Sequence, residues 1–249
     1  MFTDTHCHLY KEYYDNLEEI LNAAKENQIN RYIVAGCDDI SNKEVIELVN
    51  KYDNVYGNIG IHPENVDQYK DSDIEYIKNN LNNKKIIGIG EIGLDYHYTK
   101  ENKENQIKLF EKQLEIAQDL DIPVVIHSRE ATQDTIDTLK KYKVKGVIHS
   151  FSGSLEVAKI YIKMGFILGI NGVITFKNSN LKEVVKEIGL KNIILETDSP
   201  YLTPHPYRGK QNSPKYILEI ANFVADLYDI SLEELSKITN DNIKRIFDI

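Results

Sequence analysis

Gly88-Ile-Gly-Glu-Ile-Gly-Leu-Asp95 is the stretch on which the fold turns. Its glycines at 88, 90 and 93 carry the spacing G-x-G-x-x-G, which in an open doubly wound sheet marks the turn from a strand into a dinucleotide-binding helix. The context does not fit that turn. Leu94-Asp95-Tyr96-His97 follows, and helical periodicity starts only about ten residues later, near Lys103. A nicotinamide cofactor is excluded on this ground, and the stretch reads as a buried strand whose glycines leave room for crowded neighbours.

The same rhythm repeats on both sides of it. Short runs rich in Ile and Val lie at residues 1–5, 32–35, 55–61, 86–92, 123–126, 146–148, 166–170 and 193–195, as expected of strands buried on both faces. Between them, residues 17–27, 43–51, 73–81, 103–120, 131–142, 155–164 and 181–188 carry apolar residues at helical intervals. The tail from Pro214 reads as a long helix and then another opening at Ser231, where Glu234 completes a capping-box pattern. Eight strands alternating with helices over 249 residues predict an α/β fold, a single (β/α)8 TIM barrel. The open doubly wound sheet is the rival. No linker, repeat or composition shift divides the chain, so residues 1–249 are expected to form one domain; four of the six prolines mark a single loop after the eighth strand.

Composition narrows the classes. With 41% hydrophobic residues and only 13 Gly and 6 Pro, the chain is neither disordered nor collagen-like. No apolar run reaches the roughly 18 residues of a membrane span, and the N-terminus shows no secretory pattern. Two cysteines make no disulfide framework and suit a reducing cytosol, so a cytoplasmic protein is expected. The net charge of -9 argues against a broad basic footprint on nucleic acid, so any such contact is expected to be local and helped by bound cations.

Polar exceptions fall on this map in one pattern. His6 and His8 end the first strand, His62 the third, Glu91 the fourth, His127 the fifth, His149 the sixth and Asp198 the eighth. These are the strand ends at which barrel enzymes assemble their sites. His6 and His8, two apart, point to the same side and can converge on one ion, whereas Cys7 between them faces the wall. Four histidines and two carboxylates suit two divalent ions such as Zn²⁺ or Mn²⁺, with Glu91 the candidate to bridge them. Spacing leaves open whether Asp198 or Glu196 is the second carboxylate. Such a centre keeps positive charge, which suits a phosphodiester as well as a polarised carbonyl, and Arg129 and Arg208 tilt the choice toward phosphate. Lys210 reads as a solvated charge. Tyr10, Tyr96, Phe151, Phe176, Tyr201 and Tyr207 follow strands and could stack on unpaired bases, although packing is the simpler reading for each.

Seven ordered motifs then resemble the TatD family: Asp4-Thr-His-Cys-His-Leu9, Gly60-Ile-His-Pro63, Gly90-Glu-Ile-Gly-Leu-Asp-Tyr96, Val125-Ile-His-Ser-Arg129, His149-Ser-Phe-Ser-Gly153, Glu196-Thr-Asp-Ser-Pro-Tyr-Leu202 and Arg208-Gly-Lys-Gln-Asn212. The resemblance implies a metal-dependent deoxyribonuclease on an amidohydrolase-like barrel, commonly a 3′-to-5′ exonuclease on single-stranded DNA. It implies that His6, His8, Glu91 and Asp198 hold one ion and Glu91, His127 and His149 the other, with Zn, Mn or Mg as the metal. It also implies that His62 contacts substrate phosphate and that Asp198 is the general base. A monomer acting on DNA, away from membranes, is the expected state. After Tyr96, where many relatives have an aromatic and an arginine, this chain has His97-Tyr98-Thr99-Lys100. The alternative function is hydrolysis of a small amide, lactone or phosphoester, which this architecture also hosts.

Overall fold

The computed structural model describes residues 1–249. Along it run β1 (Phe2–Cys7), α1 (Leu17–Glu26), β2 (Ile29–Ala35), α2 (Asp39–Lys51), β3 (Val55–Ile59), α3 (Asp71–Asn80), β4 (Ile86–Asp95), α4 (Lys103–Leu120) and β5 (Val124–Arg129). Then come α5 (Thr132–Leu139), β6 (Gly146–Ile148), α6 (Leu155–Lys163), β7 (Phe166–Ile170), α7 (Leu181–Ile188), β8 (Ile193–Leu195), α8 (Ile217–Tyr228) and α9 (Leu232–Phe247). The strands follow the order β1 to β8 in one sheet, and their pairs are parallel. This is the (β/α)8 barrel that the alternation predicts, and the open doubly wound order, which reverses midway, does not occur.

Several boundaries move from their expected places, each for a local reason. β1 continues through His6 to Cys7, β4 to Asp95 and β5 to Arg129, because polar residues carry on the ladder after the apolar run has ended. Glu91 therefore lies in the middle of β4 and not at its end, a correction to the strand-end pattern. β3 stops at Ile59, before its apolar run does. There the Gly60 and Ile61 backbones bond side chains of α2 and α4 instead of a strand. α2 starts at Asp39, earlier than its apolar periodicity, because Asp38 and Ser41 form a reciprocal capping box.

Contacts gather the chain into two compact units. One holds residues 1–34, 150–163 and 167–249. Within it β7 pairs with β8 through Leu168 with Ile193 and Ile170 with Leu195. Its last helix, α9, buries Leu235, Ile243, Ile246 and Phe247 on one stripe. The Ser231 hydroxyl caps α9 by accepting the Glu234 N–H at 3.1 Å, a contact of about 1 kcal/mol.

The second unit holds residues 35–149 and 164–166, with β4 paired to β3 and to β5. Its helix α4 buries Leu109, Phe110, Leu114 and Ala117, and each large side chain so buried contributes roughly 1.5–3 kcal/mol. Gln106 and Gln113 lie on the same buried stripe. No helix of the chain is long and apolar enough to cross a membrane.

Candidate functional site

In the first unit the alternation of β1 has its expected consequence. Cys7 is fully buried, its thiol donating to the Ile33 carbonyl at 3.6 Å, while His6 and His8 turn toward Asp198. His8 Nε2 lies 3.4 Å and His6 Nε2 3.8 Å from Asp198 Oδ1. These separations are long for hydrogen bonds. Donors that share one four-coordinate ion at about 2.0–2.1 Å stand roughly 3.3 Å apart, so the three atoms are spaced as ligands of a common cation.

Asp198 is held in place by its backbone. It lies three residues beyond β8 at φ +56°, its N–H donating to the His6 carbonyl at 2.9 Å, and the next carbonyl, of Ser199, accepts the His8 N–H at 2.8 Å. Thr197 is gripped from both sides. Its N–H and hydroxyl donate to the buried Asp4 carboxyl at 2.9 and 2.5 Å, and its carbonyl accepts from Asn212 Nδ2 at 2.8 Å. Burial pushes the Asp4 carboxyl up to about 8, against the pull of those hydrogen bonds. Glu196, the other carboxylate that spacing left open, is buried with Oε1 accepting the Ser150 N–H at 2.6 Å.

The second unit assembles a cluster around Glu91. Its Oε1 lies 2.8 Å from His127 Nδ1 and 2.9 Å from His149 Nε2, with His62 Nε2 at 3.7 Å. His127 Nε2 lies 2.9 Å from Asp95 Oδ2. Burial opposes charge on His127, yet the bonds to Asp95 and Glu91 outweigh it and push its pKa up to about 9. A pocket that holds a proton this firmly has the negative potential a metal cation needs. With Asp95 orienting the ring through Nε2, Nδ1 is the atom that would be offered to a cation, the usual division of labour in a ligating histidine. The donor set therefore fits divalent metal in both units.

His62 differs from its neighbours. Burial, reinforced by His127, drops its pKa to about 3, so its ring is neutral. Its Nδ1 accepts the Glu64 N–H at 3.2 Å, which leaves the ring proton on Nε2. In this tautomer that nitrogen, facing Glu91, is a donor, while its position also groups it with Glu91 and His127 as residues able to hold a metal. Buried amides fix the backbone that carries these groups. Asn42 bonds both N–H and C=O of Gly60, Gln113 does the same for Ile61, and Gln106 for Asp95, at 2.8–3.0 Å.

The remaining sequence candidates differ in exposure and in neighbours. Arg129 ends β5 exposed, its guanidinium 5.4 Å from the centre of the Tyr98 ring, and Arg208 is exposed 3.8 Å above the Phe176 ring. Tyr10, Tyr96 and Phe151 are buried, the Tyr10 hydroxyl 3.2 Å from His8 Nδ1 and the Tyr96 hydroxyl donating to Asp134 at 2.9 Å, whereas Tyr201 is 51% exposed. Sequence reasoning overlooked Asp4, Asp95, Asn42, Gln106 and Gln113. The available signal was a glutamine pair, seven apart, on the apolar stripe of α4.

Comparison with known proteins identifies the family. The family model described as TatD related DNase matches residues 3–248. The chain is 41% identical, over the full length of both, to the uncharacterized metal-dependent hydrolase YabD of Bacillus subtilis. It is 33% identical to the uncharacterized metal-dependent hydrolase YcfH of Escherichia coli, covering 99% of this chain and 95% of the other. The crystal structure of YjjV, a TatD homologue from Escherichia coli, superposes with a TM-score of 0.94 at 27% identity, covering 100% of this chain and 98% of that one. With the family model spanning the chain and both histidine–carboxylate clusters formed, the chain belongs to the TatD family of metal-dependent hydrolases.

Proposed function

We propose that this protein is a two-metal phosphodiesterase that acts on DNA, removing nucleotides from the 3′ end of single strands. The observation that carries the reading is the setting of the His62 ring, whose Nδ1 accepts the Glu64 N–H at 3.2 Å while Nε2 faces Glu91 at 3.7 Å. A neutral imidazole whose Nδ1 accepts a backbone N–H presents Nε2–H to the cluster, the right group to bind an anionic phosphate oxygen. The family description, a TatD related DNase, names the same substrate class.

In this reading one ion, of Zn, Mn or Mg, is held by His6, His8 and Asp198, and another by Glu91, His127 and His149. Bound there, the ions supply Lewis-acid charge to the phosphate and acidify water toward neutral pH. Asp198 accepts the proton of the attacking water, His62 donates to a non-bridging oxygen, and Arg129 and Arg208 meet the anionic backbone. Both cysteines are free, which suits a reducing cytoplasm. The 249 residues act as one catalytic domain and as a monomer.

His62→Ala is expected to lower kcat/KM roughly 10²- to 10³-fold, the usual cost of one donor to developing charge, with metal content unchanged. Loss of bound metal in that variant, measured by elemental analysis, would assign His62 to the ligands instead. The substrate assignment is tested with single-stranded DNA labelled at its 5′ end, using protein loaded separately with Mg²⁺, Mn²⁺ and Zn²⁺. A ladder shortening from the 3′ end supports the reading. No cleavage by folded, metal-loaded protein rejects it in favour of a small-substrate hydrolase.

A further inference from the structure

Tyr201 is one of the few large apolar side chains the chain leaves in solvent, and it stands beside a metal-ligand candidate. Half of the ring is exposed, at 51%, and its centre is 6.1 Å from that of His8, with the planes at 67°. This ring is rigidly mounted. The Tyr201 N–H closes a turn onto the Asp198 carbonyl at 2.8 Å, and its own carbonyl accepts from the buried Asn212 amide. Its hydroxyl is hydrogen-bonded to that of Tyr13 at 2.8 Å, and the Tyr13 ring meets it edge-on at 6.0 Å. Tyr10, in turn, tilts against both Tyr13 and His8.

We infer that the exposed Tyr201 face is the stacking platform for a nucleobase adjoining the phosphate that the His6, His8 and Asp198 cluster engages. An aromatic face left in water gives up apolar burial, while a base laid on it recovers that burial and requires no sequence. The two-point anchoring at backbone and hydroxyl means little side-chain entropy is lost when a base docks. Proximity to Asp198 through a single turn makes the platform a gauge of distance, placing a base within one nucleotide of the reacting phosphate. A small lactone or simple phosphoester has no group that needs such a face. The inference rests on the nuclease reading, and it supplies what that reading lacked, a reason for the substrate to carry bases.

The test compares two single-stranded oligonucleotides that differ only at the 3′-terminal residue, base-bearing or abasic, with wild type, Tyr201→Phe and Tyr201→Leu. Stacking on one aromatic ring predicts that wild type and Tyr201→Phe favour the base-bearing strand by roughly 5- to 150-fold in kcat/KM, and that Tyr201→Leu erases the preference. An undiminished preference in Tyr201→Leu overturns the platform. Binding of a strand ending in 2-aminopurine gives a second readout that needs no turnover. Fluorescence quenching by wild type and Tyr201→Phe, lost in Tyr201→Leu, supports the platform even if cleavage itself fails and the nuclease reading with it. Equal quenching by all three rejects it. Matched thermal midpoints show that the variants are folded.

Discussion

Replacing Glu91 with alanine is expected to cut hydrolysis on the order of 10³- to 10⁴-fold or more, because several kcal/mol of charge stabilisation are lost at about 1.36 kcal/mol per decade of rate. Glu91 is the hub of its cluster: one carboxylate oxygen gathers nitrogens of His127 and His149 at 2.8 and 2.9 Å, with His62 close behind. Without that oxygen the His127 and His149 rings would lose the negative charge proposed to collect a cation between them. Metal analysis of Glu91→Ala should show one ion fewer per chain than wild type. The fold should survive, since the change removes a buried carboxylate whose desolvation is itself costly and whose partners are neutral or can become so. Wild-type turnover at matched metal content would contradict the assignment.

Asp198→Asn is the second change with a large expected effect, about 10²- to 10⁴-fold in kcat, the range for loss of a positioned general base. The substitution keeps the shape of the side chain, and asparagine tolerates the left-handed backbone at φ +56°. The turn to Tyr201 and the bond from the Asp198 N–H to the His6 carbonyl run through the backbone, so they remain. Because Asp198 is also placed among the residues that hold one ion, the variant is compared with wild type at matched metal content, and only then does it separate proton transfer from metal loss. It should unfold at the wild-type temperature and bind substrate, while single-turnover cleavage is slowed by the full factor. An equal loss confined to KM would place Asp198 in binding and not in chemistry.

The fold was legible where chemistry did not intrude. β6, β7 and β8 begin and end where their apolar runs do, since nothing polar interrupts them. β4 and β5 outrun theirs because Asp95 and His127 occupy strand positions that hydrophobicity assigns to loops. Those residues tolerate burial by pairing with one another, and such pairing depends on strand register, here Gly93 beside His127 and Asp95 beside Arg129. The histidines and carboxylates could be found in sequence because of their residue types and places. The roles of Asp95, Asp4 and the buried amides could not, because each acts on backbone or rings far away in the chain. Asp198 meets His6 and His8 from a backbone at positive φ that no spacing rule reveals, while Glu196 also lies among the groups able to hold a metal. Exposure divided the aromatics in the same way, burying Tyr10, Tyr96 and Phe151 and leaving Tyr201 in solvent.

The most direct test of the central claim is a metal titration of the stripped protein, following binding and DNA cleavage in the same samples. The account predicts two equivalents of divalent ion per chain, with cleavage appearing only as the second site fills. Full cleavage at one equivalent, with the second ion absent, would contradict it.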